Sequence, residues 1–323
     1  MKKMTLLVLI LLSISACKPK NELDEAASDI ELTVHINRFD QDFFNSNPNQ
    51  FPNLKKRYPF FFPPGNSDAV WLQKMQNPMW RELFDATQKV FGDFTKQQEE
   101  LDAFFKRIKY LFPTVETPEV YTIVGDMDYQ LKTVYANNKL IIPLELYLGE
   151  NSKYYKNEFP KYIRQNFKPS QLMPDVAEQF ASKVVAYPTD KTFLAGIIYQ
   201  GKIQYIKEML LPEVTKADII GYQNKNIQWC QENERYIWQY FVEKGLLYKT
   251  DAQLANRFTN PAPFSKFYLT EIDNESPGRV GVWIGWQIVS SYMKNTDTKL
   301  TDLLKKPAVE IFEKSQYKPK KND

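Results

Sequence analysis

The sequence predicts an α+β fold, with a small antiparallel sheet in the N-terminal half and a mostly helical C-terminal half. Three observations predict it. Apolar and polar or small side chains alternate at 30–36, as in a half-buried strand, and short strand-like runs separated by turn residues return between 120 and 144. After Gly149 the apolar side chains recur every three or four residues, as in helices. Nothing between 30 and 315 has the composition of a domain linker, so these elements form a single globular domain.

Residues 1–16 read as a signal peptide: Lys2 and Lys3 precede the apolar run Leu6 to Leu12, which is too short to span a bilayer. Ile14-Ser15-Ala16-Cys17 then places two small residues before a cysteine, the pattern a lipoprotein signal peptidase needs, and the Cys17 thiol would carry the diacylglycerol. The plainer reading is a secretory signal that happens to contain a cysteine. Several acyl chains would anchor the mature protein stably, since each buried methylene contributes about 0.8 kcal/mol. Residues 17–29 are polar, with little to bury, and are expected to form a flexible tether. No later stretch offers the roughly twenty apolar residues of a spanning helix.

The first strand is expected at 30–36 and a short helix at 37–44. Tyr58-Pro-Phe-Phe-Phe-Pro-Pro-Gly65 must be a loop, because its prolines fix φ and remove donors, and Phe60, Phe61 and Phe62 are expected in the core. Two amphipathic helices follow between 79 and 112. Strands are expected at 120–124, 131–135 and 140–144, joined by turns at Gly125-Asp-Met-Asp128 and Asn137-Asn138. Helices are expected at 154–165, 171–185, 191–210, 216–243, 251–257 and 277–294, with a shorter one near 300–314. Asp190 and Ser276-Pro277 offer N-terminal caps, and Gly245 offers a left-handed C-terminal one. Residues 316–323, with Lys318-Pro-Lys-Lys321, read as a solvated basic tail.

Composition sets further limits. With 43% hydrophobic and 15% aromatic residues the chain has ample material for a core. Of 42 basic residues, Lys2 and Lys3 leave with the signal, so 40 face 39 acidic ones, a net charge of about +1 that gives no case for nucleic-acid binding. Cys17 and Cys230 are the only cysteines; the first is consumed by lipid, so no internal disulfide is expected, and Cys230 reads as a buried, inert thiol.

Groups that carry catalysis are scarce. His35 is the only histidine, which excludes any site needing two imidazoles from one chain, including a His-Glu-x-x-His zinc helix. Neither a Gly-x-Ser-x-Gly elbow, a glycine-rich phosphate loop nor a Cys-x-x-Cys occurs. Asp126 and Asp128 are explained by turn hydrogen bonding, and Glu99-Glu100 and Glu232 with Glu234 by solvated helix faces. A glycosidase-type pair of Asp and Glu drawn from distant segments stays open. No metal, cofactor or catalytic residue is assigned. Gly281 and Gly285, four apart on the helix at 277–294, would let another backbone approach closely, which favours tight helix packing over ligand access.

The Ile14–Cys17 signal, Val34-His-Ile-Asn-Arg-Phe-Asp40 with Asp42-Phe-Phe44, Ile197-Ile-Tyr-Gln-Gly-Lys-Ile-Gln-Tyr-Ile206 with Leu211-Pro212, and Pro277-Gly-Arg-Val-Gly281 running to Tyr292-Met293 together resemble the gliding-motility lipoprotein GldB family of the Bacteroidetes, over nearly the whole mature chain. The resemblance implies a more distant likeness to zinc metallopeptidases, and hence a degenerate zincin-like architecture. Gln200-Gly201 would stand where a glutamate ligand belongs, and the helix from Met173 to Ser182 carries no histidine. A neutral carboxamide is a poor zinc ligand, so the resemblance implies a pseudo-metallopeptidase whose cleft, with Gln200, Gly201 and Arg279 as its candidate residues, is left for binding. Its implied role is a non-catalytic, lipid-anchored envelope protein that supports gliding motility, and possible linked secretion, through contacts with other envelope or gliding-machinery proteins. Lys18, where an inner-membrane retention signal would want Asp, favours the outer membrane, facing the periplasm. Two other readings are carried: an envelope hydrolase acting on peptide or glycan through carboxylates, and a lipoprotein that binds a small ligand.

Overall fold

The structure is a computed structural model that describes residues 22–319. The signal peptide, Cys17 and Lys18, and residues 320–323 of the basic tail lie outside the described residues.

The N-terminal half holds α1 (Glu22–Ala26), β1 (Ile36–Asn37), α2 (Phe39–Asn45), α3 (Phe51–Arg57), α4 (Asp68–Gln76), α5 (Pro78–Phe91), α6 (Thr95–Leu111), β2 (Glu119–Ile123), β3 (Val134–Ala136) and β4 (Lys139–Pro143). Helices then follow: α7 (Lys161–Arg164), α8 (Leu172–Val184), α9 (Phe193–Leu210), α10 (Lys216–Ile220), α11 (Asn224–Glu243), α12 (Gln253–Phe258), α13 (Thr270–Glu275), α14 (Val280–Asn295), α15 (Leu300–Leu303) and α16 (Ala308–Ser315). The fold is α+β, as expected.

The sheet corrects one expectation. It is mixed, with strand order β1-β2-β4-β3; β2 lies parallel to both β1 and β4, and only β3 and β4 are antiparallel. Asn137 and Asn138, at φ +50° and +55°, form the hairpin turn that their side chains tolerate. Gly125–Asp128 forms none. The buried Glu145 carboxylate accepts the Gly125 and Met127 amides, so the chain leaves β2, runs through residues 124–133 as a loop and re-enters at the sheet edge.

Other boundaries moved for local reasons. Of the expected 30–36 strand only Ile36 lies in β1, together with Asn37, because α6 takes up the backbone before them: Asp102 accepts the Val34 amide at 2.7 Å and Gln98 donates to the Val34 carbonyl at 3.0 Å. The expected 154–165 helix shrinks to α7, which opens after Pro160. The 216–243 helix is split by Gly221 at φ +75°. Thr192, not Asp190, caps α9 by accepting the Ala195 amide; Asp190 instead accepts the Thr192 amide and hydroxyl. Ser276 does not cap α14 either: its hydroxyl donates to the Ser265 carbonyl, and the helix starts at Val280 after a left-handed Arg279. Gly245 adopts the left-handed conformation expected of it.

Both presumed solvated ends are partly packed. Within the expected tether Glu22–Ala26 is helix, Leu23 is buried, and Asp24 receives the Arg107 Nε at 2.5 Å. Near the C-terminus Tyr317 donates its hydroxyl to Glu234 at 3.0 Å.

The main core surrounds α9 and α14, the most extensively paired helices. Two glycines explain their closeness: a Cβ on Gly201 would lie 2.2 Å from the Gly285 carbonyl oxygen, and one on Gly285 1.8 Å from that of Ile197. Gly281 faces α12 through Phe258. A second, aromatic cluster lies between α2–α5 and β2, where Phe39 stacks on Phe61 at 4.2 Å; Phe62 is buried and Phe60 keeps 37% of its surface. Cys230 is fully buried beside Tyr222, and burial raises its pKa, as suits an inert thiol.

Candidate functional site

A cleft of about 940 Å³ opens between the loop at 129–133, the end of α7, α8, α9 and the approach to α14. Its walls follow from helical spacing. Asp175, Glu178 and Gln179 are three and four residues apart and share one face of α8; Gln200 and Lys207, two turns apart, share one face of α9. The opposite face of α8 is apolar and buried, and that of α9 is buried with Lys202 as its charged member, so packing of α8 on α9 leaves the polar faces to line the opening.

The two carboxylates are differently poised. Asp175 accepts the hydroxyl of buried Tyr147 at 3.0 Å and pairs with Lys132 at 3.5 Å; burial raises its pKa, against the pull of Lys132. Glu178 accepts the Lys207 ammonium at 2.8 Å. Desolvation pushes the Glu178 carboxyl up, but Lys207 first, then Arg279 and Lys132, more than offset that and hold it at about 2. The Glu178 side chain keeps 37% of its surface open, whereas Lys207 keeps 3%, so the pair lies in the cleft wall, carboxylate outward and ammonium inward.

The rim opposite is fixed by backbone acceptors. Tyr222 donates its hydroxyl to the Gly278 carbonyl at 2.5 Å, Asn166 donates to Gly221 at 3.0 Å, and Arg279 Nη1 donates to Ile220 at 2.8 Å. Arg279 holds φ +67°, a left-handed conformation that costs a non-glycine residue on the order of 1 kcal/mol and is kept only where the surroundings impose it.

Of the residues singled out in the sequence, Gln200 and Arg279 line this cleft together. Gly201 does not; it faces α14 and permits helix packing. Cys17 lies outside the described residues. His35 is exposed beside β1, Asp126 pairs with Lys74 at 3.2 Å, and Asp128 accepts the Gln130 amide. Asp175, Glu178, Gln179, Lys132 and Lys207 were missed. For the three on α8 the signal was a polar triplet at i, i+3 and i+4 among apolar residues from Leu172 to Ala181; Lys132 and Lys207 carried none. Among the described residues no group of three or more His, Cys, Asp or Glu side chains is gathered to hold a metal ion.

A family model described as gliding motility protein GldB matches residues 20–319, nearly the whole chain. The chain belongs to this family. Membership implies a role in gliding motility. No curated protein and no solved structure matches it, so the implied zincin-like architecture has no structural counterpart to rest on. Among the described residues no helix is long and apolar enough to cross a membrane.

Proposed function

We propose that the protein is a non-catalytic lipoprotein, anchored by acyl chains on Cys17 to the outer membrane and facing the periplasm, whose body supports gliding motility and linked protein secretion through contacts with other envelope proteins. The observation that carries the reading is the state of the cleft. Both of its carboxylates are already engaged by protein cations, and the side chain at Gln200 is a neutral carboxamide. A general acid or base must reach the proton it moves, and these groups are turned to one another. The Ile14–Cys17 signal supports the anchor, and the family supports the biological role.

The test uses a gliding strain whose only copy keeps residues 1–29 but lacks the body at 30–315, beside one carrying Cys17→Ala. Both are expected to stop gliding; normal gliding by the lipidated remnant would overturn the reading.

A second reading keeps one observation in its favour. Asp175 is raised and Glu178 lowered within one cleft, the divergence that an acid and a base of a hydrolase need. Incubating purified protein with cell-wall fragments and denatured proteins separates the two. Turnover abolished by a single substitution at Asp175 or Glu178 would establish the enzyme.

A further inference from the structure

Gln165 at the end of α7, Gln179 on α8 and Gln200 on α9 are half-buried, line the same cleft, and have side chains that hydrogen bond to nothing among the described residues. Each carries two donors and an acceptor in one plane, and partial burial removes part of the water that would satisfy them. Three such groups from three elements complement a ligand whose own donors and acceptors alternate, as the peptide groups of an extended chain do. Charge narrows the choice. The cleft is lined by five basic and two acidic side chains, and both acids are already paired. Arg279 is left with a backbone carbonyl at 2.8 Å and no carboxylate at ion-pair distance among the described residues, acting on Glu178 only at longer range. A guanidinium cannot shed its charge and binds carboxylates through paired N–H groups. Neutral sugars are less well served: Tyr129 and Tyr162 line the cleft beside the buried Tyr222, but a ligand without a carboxylate would leave the Arg279 guanidinium unmatched.

We infer that the cleft binds an extended polypeptide segment through its backbone, with Gln165, Gln179 and Gln200 pairing its peptide groups and Arg279 receiving a carboxylate. This rests on the reading of the protein as one that works by protein contacts, and names the chemistry of the contact.

The test is fluorescence anisotropy on the full-length protein in detergent. The first probe is a fluorescein-labelled hexapeptide of alternating alanine and aspartate with blocked ends. The same peptide with asparagine for aspartate, a neutral peptide with a free C-terminal carboxylate, and unlabelled tetragalacturonate as competitor complete the set. Binding of the aspartate peptide at least tenfold tighter than the asparagine peptide, weakened by added salt, is expected. Tight binding of the free-ended peptide instead supports the same site and assigns the carboxylate to a chain terminus. Arg279→Gln is expected to lose at least tenfold and Arg279→Lys less. Gln200→Glu, which adds a negative charge without touching the α14 start, is expected to lose at least tenfold with an unchanged melting temperature, which keeps the test valid should the Arg279 variants misfold. Equal binding of the aspartate and asparagine peptides with no tighter binding of the free-ended one, no binding by any peptide, or tighter binding of tetragalacturonate would each overturn the inference. If peptides fail while crosslinking in gliding cells still recovers envelope proteins through the body, only the cleft inference falls; if crosslinking fails too, the protein-contact reading falls with it.

Discussion

Lys202 lies buried on α9, where its ammonium donates to the Leu304 and Lys306 carbonyls at 3.3 and 2.7 Å and burial lowers its pKa to about 8. Those carbonyls follow α15, which is only four residues long and holds itself poorly. Lys202→Met keeps the aliphatic volume and removes the donor, and is expected to cost about 1–3 kcal/mol, read as a lowered urea midpoint. Glu145 is the other group whose chemistry the fold uses. Desolvation raises its carboxyl to about 7, against the pull of the Gly125 and Met127 amides, and its Oε2 finds no partner among the described residues. The fold therefore prefers the protonated form. That contribution is complete below the ordinary carboxylate range and is lost as pH rises to about 7, on the order of 3 kcal/mol. Glu178 acts in the opposite sense: its contribution is present above that range and is lost as pH falls towards 2. Thermal melts of Glu145→Gln are expected to lose the decline between pH 5 and pH 8 that the parent shows. An unchanged decline would place its origin elsewhere.

At the scale of elements, the contact of α9 with α14 is set by Gly201 and Gly285, and substitution separates steric need from helix propensity. Gly285→Ala drives a methyl to 1.8 Å from the Ile197 carbonyl oxygen and is expected to cost about 3 kcal/mol or more; Gly196→Ala, with nothing within 4 Å, is expected to stabilise by up to about 1 kcal/mol. Chemical denaturation of the pair checks both signs. Gly281 and Gly285 were legible as sites of close approach because their spacing is helical and their composition unfavourable. The long helices were legible for the same reason, that periodicity records which face is buried. The mixed sheet was not. Its topology depends on Glu145 capturing the loop after β2, a contact between residues twenty apart that no local pattern encodes. The break at Gly221 is a local one, closed by the Gly221 amide on Asp218 and the Tyr222 amide on Ala217, whereas the break at Arg279 was hidden, since its side chain is held by the Ile220 carbonyl of another segment.

At the scale of the molecule, helical faces from distant segments meet in a cleft that is polar and net basic, and whose two carboxylates are already paired with lysines. Gln200 and Arg279 were visible beforehand through family resemblance, whereas Asp175, Glu178 and Lys207 became candidates only when α8 and α9 were seen side by side. The central claim is that this cleft serves by contact and not by turnover, and Asp175 separates the two. Asp175→Asn keeps the shape, leaves an acceptor for Tyr147, and removes the carboxyl best suited to act as an acid. The measurement is the gliding speed of single cells whose only copy carries Asp175→Asn, with folding checked by melting temperature. Wild-type speed is expected; cells that stop gliding while the variant stays folded and abundant would contradict the account.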